Sequence, residues 1–139
     1  MSERLDEIYS KKLKEHYEKP RNYGPLEGAT ASASASNPLC GDQISVHLQT
    51  AGGTIRQVTF EGHLCAVSLA SASMMSEAVR DKSLAETAQA RNAFEAMMKG
   101  NDAVSLGELD ALRGIRRYRV RVRCALLPWD ALRMACELV

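Results

Sequence analysis

The chain reads as an α+β fold, a small antiparallel sheet of about three strands packed against a cluster of helices. Three observations predict it. Residues 43–61 alternate apolar and polar side chains, with Ile44, Val46 and Leu48 in one run and Val58 and Phe60 ending the next; this period of two marks half-buried strands. Gly52-Gly53 lies between the runs and supplies the turn of a hairpin. Beyond Cys65 the period changes, and apolar residues recur at helical spacing. With 139 residues, 45% hydrophobic and 25% charged, residues 1–139 are expected to form one domain with a single sizeable core.

In chain order, Leu5, Ile8, Tyr9, Leu13 and Tyr17 predict a helix over 3–19, with Ser2 as its N-cap. Pro20 ends it, because the residue before proline is pushed out of the α region. Arg21-Asn22-Tyr23-Gly24-Pro25 reads as a turn. Thr30 to Ser36 alternates threonine or serine with alanine, which fits a linker or an edge strand with two small-residue faces; an edge strand is expected. After the hairpin, Leu69, Ala72, Met75 and Val79 mark the stripe of a small-residue helix from Cys65 to about Arg80. Ala90, Phe94, Met97 and Met98 face inward on a second helix over about 84–99, closed by Gly100-Asn101-Asp102. Leu106 to Leu112 is expected as a short helical turn. A last helix is expected from about Leu126 to Leu138, with Pro128 in its first turn, where a missing N–H costs nothing.

A formal net charge of +1 gives no reason to expect a nucleic-acid partner. The N-terminus lacks an apolar leader and no run is long enough to cross a bilayer. Four cysteines without a leader point to a reducing compartment, so the expected location is the cytoplasm.

Three of those cysteines stand in distinctive settings: Asn37-Pro38-Leu39-Cys40-Gly41-Asp42, Gly62-His63-Leu64-Cys65-Ala66-Val67-Ser68, and Arg121-Val122-Arg123-Cys124-Ala125-Leu126-Leu127-Pro128-Trp129. Three thiolates and the Asp42 carboxylate would make a four-coordinate cup for zinc or for iron in a cluster. Gly41 tolerates the tight turn that lets Cys40 and Asp42 converge. Cys65 is expected where strand gives way to helix, and Cys124 just before the final helix. Both would then gain from a helix dipole that favours the thiolate.

Together these segments resemble the NifU/IscU-like iron–sulfur cluster assembly family, and within it the SufU branch, with its SufE/NifU-like fold. The resemblance covers nearly the whole chain. It begins at His16-Tyr17-Glu18-Lys19-Pro20-Arg21-Asn22-Tyr23-Gly24, includes Leu106-Gly107-Glu108-Leu109-Asp110-Ala111-Leu112-Arg113-Gly114, and ends at Leu127-Pro128-Trp129. Arg123 precedes the last cysteine where IscU-type scaffolds carry histidine, and the Cys65–Cys124 interval is longer than theirs; both features fit SufU.

The resemblance implies that Cys40, Asp42, Cys65 and Cys124 are zinc ligands, and that Cys40 is also the catalytic sulfur acceptor. It implies a zinc-dependent sulfurtransferase served by a pyridoxal-phosphate cysteine desulfurase (SufS-like) and working with other SUF assembly proteins. In the family, a desulfurase histidine displaces the cysteine matching Cys40 from zinc, and the freed thiolate takes the persulfide sulfur. Arg121 matches a family arginine near the metal and would stabilise thiolate or persulfide charge. The alternative is a scaffold that builds the cluster on the same ligands. A purely structural zinc domain fits less well, since structural sites are closed and Cys40 lies on a glycine-flanked loop.

Two positions depart from the family pattern. Leu64 stands where glycine commonly precedes the second cysteine, and would be strained if that position required a positive φ. Arg119 replaces a proline near the last cysteine.

Other candidates have plainer readings. His63 is expected to point to solvent rather than serve as a competing ligand, and His47 to be exposed on its strand. His16 is expected to pack or to face a partner. Cys136, in helical register with Trp129 and Leu132, reads as core, as do Met74-Met75 and Met97-Met98. Arginines 113, 116, 117, 119, 121 and 123 lack interleaved stacking aromatics and read as a docking surface for an acidic protein rather than for RNA.

Overall fold

The computed structural model describes residues 2–139, with side chains from residue 10 onward. The helix α1 (Ser2–Glu18) is followed by strands β1 (Ala31–Asn37), β2 (Asp42–Ala51) and β3 (Thr54–His63). Helices α2 (Ala66–Val79) and α3 (Leu84–Met98), a 3-10 segment (Gly107–Arg117) and α4 (Arg119–Glu137) complete the chain. The stripe expected from Leu5, Ile8 and Tyr9, and the cap expected at Ser2, concern side chains outside the described residues. Of that stripe's remaining members, Leu13 packs against the core while Tyr17 is exposed.

The sheet is antiparallel in the order β1-β2-β3. The alternating serines and alanines form its β1 edge, in register from Ala31 opposite Leu48 to Asn37 opposite Asp42. Serine hydroxyls meet across the outer face, as between Ser34 and Ser45 at 2.7 Å. Ile44, Val46, Leu48, Ile55, Val58 and Phe60 point the other way and are buried. They share one core with Met74, Met75, Phe94, Leu112, Trp129 and Leu132. The Phe94 and Trp129 rings stack at 4.9 Å. Burial of this many large apolar side chains is the main source of the fold's stability.

Both methionine pairs are buried and Cys136 packs against the core's rim, as their helical spacing predicts. His16 is wholly buried, with Nδ1 2.7 Å from Ser73 Oγ and Nε2 3.1 Å from Glu108 Oε2. It fastens α1 to α2 and the 3-10 segment.

The last helix departs from expectation. It starts at Arg119 rather than near Leu126, so Pro128 lies in its interior and Cys124 within its second turn. The cause is local. Arg119-Val120-Arg121-Val122-Arg123 alternates polar and apolar residues, a pattern with a strand's period, while its helical face is mostly solvent-exposed. The helical turn expected over 106–112 also extends further, to Arg117. His47 is half-buried rather than exposed, held by Ser32 Oγ at 2.7 Å and Glu61 Oε1 at 2.9 Å.

Candidate metal centre

The site is assembled by sheet register. Asn37 pairs with Asp42, so Pro38 to Gly41 must turn back within four residues, and Gly41 takes φ +76° to do so. The turn lifts Cys40 above the sheet's end. On the other side of β2, Gln43 pairs with His63 and Ile44 with Gly62. This brings the chain leaving β3 alongside Asp42 and delivers Cys65 as the N-cap of α2. Helix α4, packed against α2, β1 and β2, brings in Cys124 from above.

Cys40, Asp42 and Cys124 offer ligand atoms that all lie within 4.8 Å of one another. Cys124 Sγ is 3.7 Å from Cys40 Sγ. Two thiolates on one tetrahedral zinc, with bonds of about 2.3 Å, stand about 3.75 Å apart. These three donors therefore fit three positions of a tetrahedral ion in both chemistry and spacing. Cys65 stands just outside this trio. Its sulfur accepts from the Ser68 backbone N–H at 3.4 Å, and it also interacts with Asp42 and Cys124.

Burial differs among the four. Cys124 is buried, while Cys40 and Cys65 are half-exposed. Burial, then the hydrogen bond with Cys40 and the charge of Cys65, pushes the Cys124 thiol up to about 12. A thiol in that setting ionises readily only when a cation joins it. For Asp42, burial would raise the pKa, but hydrogen bonds from Ser68, Cys65 and Cys40 outweigh it and hold the carboxyl below its usual range. Arg121 is exposed one turn before Cys124. A hydrogen bond to Cys124, and then the charges of Cys65 and Cys124, hold its guanidinium above its ordinary value.

Cys124 gains no helix N-terminus, contrary to expectation, because α4 begins five residues earlier. Only Cys65 has that placement. His63 is exposed and not among the clustered ligand atoms. Leu64 is unstrained: among the described residues only Asn22 and Asp81 have positive φ without being glycine. Gly62 takes the tight position instead, since a Cβ there would collide with the Gln43 carbonyl. Arg119 occupies the exposed first position of α4, a place that suits proline equally.

The arginine run is divided in two. Arg113 pairs with Asp102 and Asp110, and Arg116 with Asp102, so these two brace the 3-10 segment. Arg117, Arg119, Arg121 and Arg123 remain exposed.

Sequence reading missed Ser68. It is fully buried at the centre of the cup, with its hydroxyl 2.5 Å from Asp42 Oδ2 and 3.0 Å from the Cys124 carbonyl. A serine three residues after Cys65, within a run of serines and alanines, carries no distinguishing signal in the sequence.

Comparison with known proteins agrees with this geometry. The NifU-like N terminal domain matches residues 8–125. The zinc-dependent sulfurtransferase SufU of Bacillus subtilis is 36% identical over 92% of this chain and 88% of its own. The iron–sulfur cluster assembly scaffold protein IscU of Streptococcus pyogenes is 33% identical over 96% of this chain and 86% of its own. Among solved structures, a candidate iron–sulfur cluster assembly scaffold protein for the SUF system from Fervidobacterium islandicum superposes with a TM-score of 0.87 at 32% identity, covering 93% of this chain and 96% of that one. On sequence and structure alike, the chain belongs to the NifU-like N-terminal domain family of iron–sulfur cluster assembly proteins.

Proposed function

We propose that the chain accepts persulfide sulfur from a cysteine desulfurase at a zinc–thiolate site and passes it on for iron–sulfur assembly. Cys40, Asp42, Cys65 and Cys124 would hold the ion, which when bound keeps the thiols deprotonated at neutral pH.

The carrying observation is the contrast between two thiols of the cup. Cys124 is buried in α4, whereas Cys40 is half-exposed on a glycine turn beside Leu39, which is 74% exposed. The turn can present its sulfur to another protein without unpacking a helix, which Cys124 cannot. Cys65 is tied at the start of α2 by the Ser68 N–H and by its own N–H to Asp42. In the transfer, the Cys40 thiolate attacks the terminal sulfur of the desulfurase persulfide. That S–S bond breaks, the desulfurase cysteine leaves as thiolate, and a new S–S bond forms on Cys40 with no net oxidation. The exposed Arg121 adds positive charge beside the thiolates. Four free cysteines suit a reducing compartment such as the cytoplasm.

A scaffold role on the same ligands is the second reading, favoured by the IscU relative. Metal analysis of protein purified without added zinc, with its absorption spectrum, separates the two. One equivalent of zinc and no visible charge-transfer bands is the expected result. A brown protein with iron and labile sulfide overturns transfer in favour of the scaffold.

A further inference from the structure

We propose that Ser68 is the positioning residue of the cup, tying the Asp42 carboxylate to the Cys124 turn of α4, and that Pro128 makes the tie available. The inference rests on the metal-site reading above and adds to it a residue that touches none of the reacting atoms.

The Ser68 hydroxyl faces three walls of the site at once. Its Oγ is 2.5 Å from Asp42 Oδ2, 3.0 Å from the Cys124 carbonyl oxygen and 3.4 Å from Cys65 Sγ. Asp42 Oδ1 accepts from the Cys65 backbone N–H at 3.1 Å. Both carboxylate oxygens are therefore held, one by the Cys65 backbone and the other most closely by Ser68. A carboxylate fixed at both ends keeps a defined lone-pair direction for an ion; fixed at one end it swings.

The Cys124 carbonyl is open to Ser68 for a reason visible in the sequence. In an α-helix that oxygen accepts from the N–H four residues on, and the residue four on is Pro128, which has none. The carbonyl is thus left without its helical donor inside a buried interface, and the Ser68 hydroxyl lies within hydrogen-bond distance of it. One hydroxyl proton serves two acceptors, a carboxylate and a carbonyl. Ser68 thereby links strand β2, the start of α2 and the ligand-bearing turn of α4. Pro128 in the helix interior has an identifiable use here, beyond shaping α4.

Three variants test this: S68A, P128A and S68A/P128A. Zinc affinity is read by competition with a chromophoric chelator, coordination by the visible d–d bands of Co2+, and fold integrity by thermal unfolding of metal-free protein. S68A is expected to weaken zinc binding ten- to a hundred-fold, as loss of an orienting partner typically does, with altered Co2+ bands. P128A restores an N–H for the Cys124 carbonyl and so loosens its tie to Ser68, while the Asp42 anchor stays. It should weaken zinc binding by a smaller factor than S68A; wild-type affinity in P128A would remove Pro128 from the proposal. The double variant should regain thermal stability relative to S68A yet keep the weakened affinity, because Asp42 still lacks its second anchor. Where S68A alone does not fold, the double variant carries the comparison with P128A.

Wild-type affinity and Co2+ bands in S68A would overturn the proposal while leaving the metal site standing. Full recovery of affinity in the double variant would also overturn it, since Ser68 would then only satisfy a helix carbonyl. A wild type that binds neither ion would overturn the metal site itself, and this proposal with it.

Discussion

Cys40 Sγ and Cys124 Sγ lie 3.7 Å apart across 84 residues of chain, one on an exposed turn and the other inside a packed helix. The two thiols share a site without sharing a supporting structure. The turn at Pro38–Gly41 is held by backbone bonds from Cys40 and Gly41 N–H to the Asn37 carbonyl, at 3.3 and 2.9 Å. Cys124 is held by the whole of α4 against α2 and the sheet.

That asymmetry predicts different failures in the two alanine variants. Cys40→Ala should abolish persulfide acceptance and stimulation of a partner desulfurase while the fold and part of the zinc remain. Cys124→Ala should lose zinc and also lower stability, by roughly 1–2 kcal/mol for the removed buried sulfur. Trapping by alkylation, followed by mass mapping after incubation with a desulfurase and cysteine, decides the assignment. Persulfide found on Cys65 or Cys124 but never on Cys40 would reverse the roles.

Gly62 offers a test of how register builds the site. Its φ of +149° and the Gln43 carbonyl facing it leave no room for a Cβ. Gly62→Ala should cost about 2–4 kcal/mol through backbone strain and overpacking. The damage lies where β2 and β3 pair next to Asp42, so metal content should fall along with the melting temperature. A variant that melts early but retains full zinc would show that the cup tolerates a shifted register.

The sheet and most of the helices were legible because each carries a plain local signal. The Gly52-Gly53 turn, the alternation of Ile44, Val46 and Leu48, and the small-residue run after Cys65 each match one period. The serine–alanine alternation fitted a linker as well as an edge strand, and the structure makes it the β1 edge. Cys40, Asp42 and Cys124, whose ligand atoms the structure brings within 4.8 Å of one another, stood out in the sequence by their settings, but the geometry of the cup did not. Helix α4 begins with arginines and valines in a strand-like period, and tertiary packing of Leu127, Trp129 and Leu132 overrides that pattern. Cys124 consequently changes from a helix-start thiol to a buried interior one. The capping box of Ser83 and Glu86 at the start of α3 follows the serine-x-x-glutamate rule and fixes that boundary. Ser68 had no comparable signal, since a serine among many serines and alanines becomes distinctive only once Asp42 and Cys124 are seen around it.

The fourth cysteine provides the internal control. Cys136 sits near the C-terminal end of α4 and lines a small cavity with Leu84, Thr87, Ala88, Arg91 and Leu132, apart from the cup. Burial raises its thiol above the ordinary value, so at neutral pH it is a protonated, weakly polar packing group. Cys136→Ser replaces it with a hydroxyl that needs a stronger partner. Because the site is only half-buried, the cost should be about 1 kcal/mol, the low end for a poorly satisfied hydroxyl. Thermal unfolding should record that small loss, while zinc content and the trapping of persulfide on Cys40 stay at wild-type levels. Loss of the metal in this variant would mean that one of the three thiols assigned to the cup belongs elsewhere and Cys136 takes its place.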